Sequence, residues 1–146
     1  MLSEIQIRAA SRDDDDRLIA LWQRSVTATH LFLTPEDIDG LAPVVSSSLP
    51  LLNVYVAEDS SVISGFIAMD GEKIEMLFID DCARGKGIGR LLLDFARRQS
   101  PQLKVDVNEQ NPQARGFYEH YGFHIIGRSS CDGQGNPFPL LHMELG

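Results

Sequence analysis

The chain is poor in the features that cross-link a protein or anchor it. Two cysteines, Cys82 and Cys131, stand among 146 residues. They show no paired spacing, which fits reduced thiols in a cytoplasmic setting and not a disulfide framework. No apolar run approaches the ~18 residues of a membrane-spanning helix. The start, Met1-Leu2-Ser3-Glu4, lacks a basic segment leading into an apolar stretch, so no secretion signal is expected. Positive charge is also scarce. Thirteen Lys and Arg face 21 Asp and Glu, for a formal net charge of −8. Phosphate neutralisation needs a basic face, so this balance argues against nucleic acid as a main partner. The acidic balance suits cationic substrates, and equally suits simple solubility. Repeats, linkers and low-complexity segments are missing too. With 43% apolar and 23% charged residues, residues 1–146 read as one soluble domain large enough for a core.

What is present centres on Arg84-Gly85-Lys86-Gly87-Ile88-Gly89. An apolar run, Met76 to Ile79, precedes it, and an amphipathic run from Leu91 to Ala96 follows. A strand therefore leads into a glycine turn that opens a helix. Glycine lets the backbone take positive φ and approach a ligand closely. The helix start offers unpaired N–H groups and the positive end of a dipole. Together they make a seat for a phosphate or pyrophosphate. A tight turn without a ligand is the plainer alternative. A dinucleotide fingerprint, Gly-x-Gly-x-x-Gly, fails because Arg90 or Leu92 stands where the third glycine belongs. Asp106 does lie near the place of a ribose-binding acid. A Walker loop fails because Gly87 follows Lys86 and Asp80 occupies the first glycine position.

The pattern that fits is Arg-x-x-Gly-x-Gly after an apolar strand, which resembles the acyl-CoA-binding motif of the GNAT family of N-acetyltransferases. A second block, Asn111-x-x-Ala114-x-x-Phe117-Tyr118-x-x-x-Gly122-Phe123, is similar to the C-terminal signature of that family. It follows the alternation Leu103, Val105, Val107, which reads as a strand. Asn111 suits an N-cap, Pro112 the first helical position and Gly122 the stop. The resemblance covers residues 50–125 well and the first 45 more loosely. Trp22 to Leu33 and Gly133 to Leu141 also resemble one small bacterial member.

Elsewhere, Ile5 and Ile7 suggest a first strand. Ser11 caps a helix whose first turn carries Asp13 to Asp16, favoured there by the dipole. These aspartates are expected to point outward in different directions, and no metal site is expected. Leu18, Leu21, Trp22, Ser25 and Val26 keep helical spacing. Thr34-Pro35-Glu36-Asp37 is a capping box opening a second helix, which Gly40 and Pro43 are expected to break or kink. Strands follow over Leu51–Ala57, Val62–Met69 and Lys73–Ile79, with Asp70-Gly71 turning the second hairpin. The glycine helix stops before Ser100-Pro101. Phe123–Arg128 and Leu140–Leu145 close the chain as an antiparallel pair. The order β-α-α-β-β-β-α-β-α-β-β is a mixed α/β sandwich around one sheet, flanked by about four helices. The strands before and after the glycine helix should be parallel neighbours, because a helical crossover joins them.

Family resemblance implies more. The mostly antiparallel sheet would carry one splayed parallel pair. The pantetheine arm of acetyl-CoA would lie in that gap, against the backbone of Leu77, Phe78 and Ile79. Arg84, Gly85, Lys86, Gly87, Ile88 and Gly89 would seat the pyrophosphate, and Asn111 would cap its helix and touch the cofactor. Acetyl transfer to an amine needs a neutral amine, a polarised carbonyl, a proton for the leaving thiolate and close approach of the substrates. Tyr118 would supply that proton. The family's usual base is a glutamate where Lys73 stands, which leaves Glu75 on the same strand and Asp106 on its neighbour as candidates, or as ordinary surface carboxylates. Trp22, His30 and Phe32 fall where the family builds its acceptor pocket. Direct transfer needs no cysteine nucleophile. The enzyme would act as a monomer or homodimer on a small amine, peptide or protein. Lys73 keeps open a non-catalytic acyl-CoA-binding module, and the partial glycine match an NAD-dependent oxidoreductase.

Calorimetric titration separates these readings. Acetyl-CoA is expected to bind at micromolar concentration while NAD stays silent, and the reverse pattern would restore the oxidoreductase.

Overall fold

Apolar and polar residues alternate along short stretches of this chain, and two-residue turns connect several of them, which favours strands paired with their neighbours. The computed structural model describes residues 5–29, 33–80, 83, 85–132 and 135–146. Seven strands are found among them: β1 (Ile5–Ala9), β2 (Asn53–Asp59), β3 (Val62–Asp70), β4 (Lys73–Ile79), β5 (Lys104–Asn108), β6 (Phe123–Ser129) and β7 (Leu140–Leu145). Their order across the sheet is β1-β2-β3-β4-β5-β7-β6. Every pairing is antiparallel except β4 with β5. Four α-helices complete the described fold: α1 (Asp15–Thr29), α2 (Pro35–Ser48), α3 (Ile88–Gln99) and α4 (Pro112–Tyr121). Element order and the parallel pair agree with the sequence reading.

Two apolar layers hold the helices to the sheet. On one face Leu18, Leu21, Trp22 and Val26 of α1 pack with Ile38 and Val45 of α2 against Val56 and Phe66. On the other, Ile88, Leu92, Leu93 and Ala96 of α3 join Tyr118 of α4 against Ile67, Ile74, Val105 and Met143. Gly65 on β3 sits under the start of α3. A Cβ there would lie 2.8 Å from Ile79 Cδ1 and 3.2 Å from Ile88 Cγ2, so the missing side chain lets the helix start lie close to the sheet.

Three expectations need correction. Helix α2 runs through Gly40 and Pro43 to Ser48. Proline withdraws one N–H from the ladder, but Asp39 and Pro43 are exposed, where water can serve the freed carbonyl, and the buried Ile38 and Val45 hold the helix down. Strand β2 starts at Asn53, because Leu49–Leu51 form a 3-10 turn that buries Leu49 and leaves Leu51 exposed. The aspartates do not all point outward. Asp14 is buried. Its carboxylate accepts from Arg8 at 2.9 and 3.1 Å, from Arg17 at 2.6 Å and from the Ser11 N–H at 2.8 Å.

The Asp14 network has a pH signature. The Arg8 hydrogen bonds hold its carboxyl well below the usual carboxylate range, against the opposing effect of burial. A depressed carboxylate contributes stability that is present above the unfolded-state pKa of about 3.9 and is lost as pH falls below it. Asp14→Asn is expected to cost about 1–3 kcal/mol in urea denaturation at neutral pH. The gap to the unsubstituted protein should narrow as the pH drops below about 4.

Candidate active site

Strands β4 and β5 pair only at Lys73 with Lys104 and Ile74 with Val105. Opposite β3, Met69 pairs with Ile74 and Ala68 with Met76, so Glu75 is an extra residue, a β-bulge. A bulge bends its strand and sharpens the local twist. Beyond it the two strands separate. Among the described residues, the edge of β4 that faces β5 has no strand partner from Glu75 to Ile79, and a cleft of about 580 Å³ opens there. Leu77, Phe78 and Ile79 line it from β4, Asp106 and Asn108 from β5, and Asn111, Phe117 and Tyr118 from the α4 side. Ser25 of α1 reaches it from the opposite face of the sheet.

At one end the cleft meets the start of α3. Gly85 and Gly87 have φ of +78° and +77°, a left-handed backbone that glycine adopts without penalty. Gly87 is the N-cap and supplies no side-chain cap. The Leu91 N–H bonds to the Gly87 carbonyl at 3.1 Å, so the N–H groups of the first turn have no intrahelical acceptor. Gly89 permits another close approach, since a Cβ there would lie 3.0 Å from Phe117 Cζ. Arg90 brings positive charge to this end of the cleft. Backbone donors, a helix dipole and a cation suit a pyrophosphate.

The other end carries carboxylates. Glu75 and Asp106 are the first residues past the last shared rung on their strands, and both line the cleft. Asp106 is fully engaged. His142 of β7 donates through Nδ1 to Oδ1 at 2.6 Å, and Lys73 Nζ bonds Oδ2 at 2.9 Å. Partial burial pushes the Asp106 carboxyl up, but these two hydrogen bonds outweigh it and hold the group below its ordinary value. The same bond raises the Lys73 ammonium. Ser129 Oγ on β6 stands 2.7 Å from His142 Nε2, so one polar chain crosses β4, β5, β7 and β6. Glu75 has a looser environment, with Lys73 Nζ at 3.6 Å and a third of its side chain exposed.

Between the two ends lies Tyr118. Its ring is buried edge-on against Phe117 and Phe123. No hydrogen bond engages its hydroxyl among the described residues, and burial raises the phenol pKa, so the group stays protonated at neutral pH. Tyr121 plays a different part, donating to Asp94 Oδ1 at 2.6 Å. Asn111 caps α4, accepting from the Ala114 N–H at 3.2 Å, and also lines the cleft.

The cleft thus gathers Tyr118, Glu75, Asp106, Leu77, Phe78, Ile79, Gly85, Gly87, Ile88, Gly89 and Asn111. Lys86 is exposed on the glycine loop. Trp22 is not at the cleft; 4% exposed, it belongs to the core under α1 and α2, as its helical spacing with Leu18 and Val26 allows. His30, Phe32, Cys82 and Arg84 lie outside the described residues. Sequence reasoning missed His142, Ser129 and the bulge. The His142 contacts join residues 36 and 13 positions apart, and only the strand register brings them together.

Known proteins are similar in sequence and fold. Residues 50–145 match the Acetyltransferase (GNAT) domain. The peptidyl-lysine N-acetyltransferase YjaB of Salmonella typhimurium is 44% identical over 140 residues, covering 95% of this chain and 97% of its own length. The solution structure of apo-form YjaB from Escherichia coli is similar with a TM-score of 0.89 at 42% identity, covering 96% of each chain. The PaiA N-acetyltransferase of Thermoplasma acidophilum, solved in complex with coenzyme A, shares the fold with a TM-score of 0.74 at 21% identity, covering 97% of this chain and 98% of its own.

The glycine loop offers a direct test. Gly87→Val puts a β-branched residue into left-handed backbone, at about 1–2 kcal/mol. Relaxation of the loop out of that shape is expected to weaken acetyl-CoA about tenfold in calorimetry, with far-UV circular dichroism unchanged.

Proposed function

We propose, for a chain that belongs to the GNAT family and transfers an acetyl group from acetyl-CoA to an amine, that the acceptor is a lysine side chain of a peptide or protein. One observation carries this reading: charge is sorted along the cleft. Arg90 and the start of α3 mark the end suited to an anionic pyrophosphate, and Glu75 and Asp106 mark the other. A lysine ammonium approaching an acidic opening on a protein of net charge −8 is attracted and not repelled. The peptidyl-lysine acceptors named for YjaB support the same choice.

Each part of the cleft then has a task. The free edge of β4 along Leu77, Phe78 and Ile79 hydrogen-bonds the extended pantetheine arm as an added strand would. Gly85, Gly87, Ile88 and Gly89, with Arg84 and Lys86 beside them, hold the pyrophosphate. Asn111 keeps α4 in register with the arm. Tyr118 gives its proton to the leaving thiolate, which a buried and protonated phenol can do. The carboxylate end draws in the ammonium and takes its proton, so Lys73 does not leave the site without a base. His30 and Phe32 keep the acceptor-side role that the family resemblance implies for them. The enzyme works in the bacterial cytoplasm as a single domain over residues 1–146, monomeric or as a homodimer.

Incubation with acetyl-CoA and a lysine-containing peptide is expected to add one acetyl group to the lysine by mass spectrometry. Tyr118→Phe should lower kcat about 100-fold and leave acetyl-CoA affinity nearly unchanged. Equal activity in that variant would remove Tyr118 from the chemistry, and acetylation of small amines but no peptide would overturn the choice of acceptor.

A further inference from the structure

Two side chains beyond the cleft, His142 and Ser129, have no task in acetyl transfer, yet their geometry is that of a second reaction centre. The structure assigns Ser129, His142 and Asp106 to a nucleophilic triad, with Ser129 as the attacking hydroxyl and short-chain carboxylic esters as its substrates.

Strand register brings the three into line. Asp106 on β5 pairs with His142 on β7, and His142 pairs in turn with Gly127 on β6. Ser129 lies two residues beyond Gly127 and so shares its face. His142 Nδ1 donates to Asp106 Oδ1 at 2.6 Å, and Nε2 stands 2.7 Å from Ser129 Oγ. A neutral ring with its proton on Nδ1 presents a lone pair at Nε2, so the serine hydroxyl is the donor. Lys73 Nζ, 2.9 Å from Asp106 Oδ2, favours the ionised carboxylate. A carboxylate that orients an imidazole, and an imidazole that accepts from a hydroxyl, activate that hydroxyl wherever in a chain the three occur.

The group can be reached from outside. Val105, Val107, Met143 and Leu145 turn toward the layer of α3 and α4, so Asp106 and His142, between them, point to the other face. The apolar layer under α1 and α2 draws on Val56, Phe66 and Phe78, and on no described residue of β5, β6 or β7. The His142 side chain is 34% exposed, and Ser129 is half-buried. Gly127 leaves the edge of the imidazole clear, since a Cβ there would stand 3.5 Å from His142 Cδ2. A short acyl chain fits over that bare backbone. Strand β6 ends the sheet, and every second N–H of such a strand points away from its neighbour. A donor of this kind beside Ser129 can hold the oxyanion of the intermediate.

The step balances without a further reagent. Ser129 Oγ bonds to the ester carbonyl carbon, and its proton passes to His142 Nε2. The ester C–O bond breaks, and the alcohol leaves with that proton. Water then attacks the acyl-serine and gives one proton to Nε2, which returns it to Ser129 as the C–O bond to the serine breaks. The products are a carboxylic acid and the original hydroxyl. Asp106 stays ionised throughout and acts only by positioning the imidazole.

A fluorophosphonate probe and p-nitrophenyl acetate test this on the full chain. The probe is expected to add one phosphonyl group at Ser129, with loss of fluoride, as located by peptide mass spectrometry. p-Nitrophenyl acetate is expected to be hydrolysed. Ser129→Ala should abolish both reactions, and His142→Gln should lower kcat about 100-fold. Asp106→Asn should lower kcat by a similar factor at unchanged KM, and Asp106→Glu should restore part of it, a pattern that a brace of the sheet does not produce. Matching far-UV circular dichroism shows that each variant is folded. Absence of an adduct at Ser129 in the unsubstituted protein, labelling spread evenly over other serines, or ester turnover that persists in Ser129→Ala overturns the triad. Acetylation of a lysine peptide is measured separately, so failure here and failure of the transferase reading are distinct results.

Discussion

Past Ile74 and Val105 the two central strands stop exchanging hydrogen bonds, and the remaining features of the molecule are arranged around that separation. A sheet of seven strands would ordinarily bury its middle on both faces. Here the middle opens, starting at the extra residue Glu75. The separation exposes a strand edge, which free proteins usually protect. This edge is kept inside a cleft walled by α3 and α4, away from edge-to-edge pairing with another sheet. Gly65 and Gly89 bring those walls close to it.

The same opening divides the chemistry. Backbone N–H groups gather where α3 begins, and carboxylates gather where the two strands still touch. Tyr118 lies between, inside the core layer and without a hydrogen-bonding partner of its own among the described residues. No fully buried polar side-chain atom among the described residues lacks a partner, so this hydroxyl meets the cleft, where a substrate atom can complete its bonding. The polar chain Lys73–Asp106–His142–Ser129 ties β4, β5, β7 and β6 together on one side of the sheet. It braces the half of the sheet that shares only two rungs with the other half.

Much of this was legible in the chain itself. Local physics determines those parts: glycines at 85 and 87 for a left-handed backbone, Asn111-Pro112 for a helix start, Thr34 with Asp37 for a capping box. Strand and helix order followed from periodicity, and the parallel pair from the helical crossover. The bulge carries no residue signature, because it arises from the mismatch between two strands. The Asp106–His142–Ser129 chain depends on register across three strands. Trp22 has the composition of a pocket residue and the spacing of a core one, and packing chose the second. Asp14 looked like its three acidic neighbours until Arg8, on a strand, reached it.

A sheet left unfinished in its middle joins folding to supply. Whatever lies along β4 and satisfies its idle backbone groups stabilises the folded chain alone, by RT ln(1 + [L]/Kd), or about 2.7 kcal/mol when the ligand stands at a hundred times its Kd. For a small domain that is a large share of total stability. The protein's resistance to heat and proteases thereby rises with the concentration of the ligand that completes its sheet.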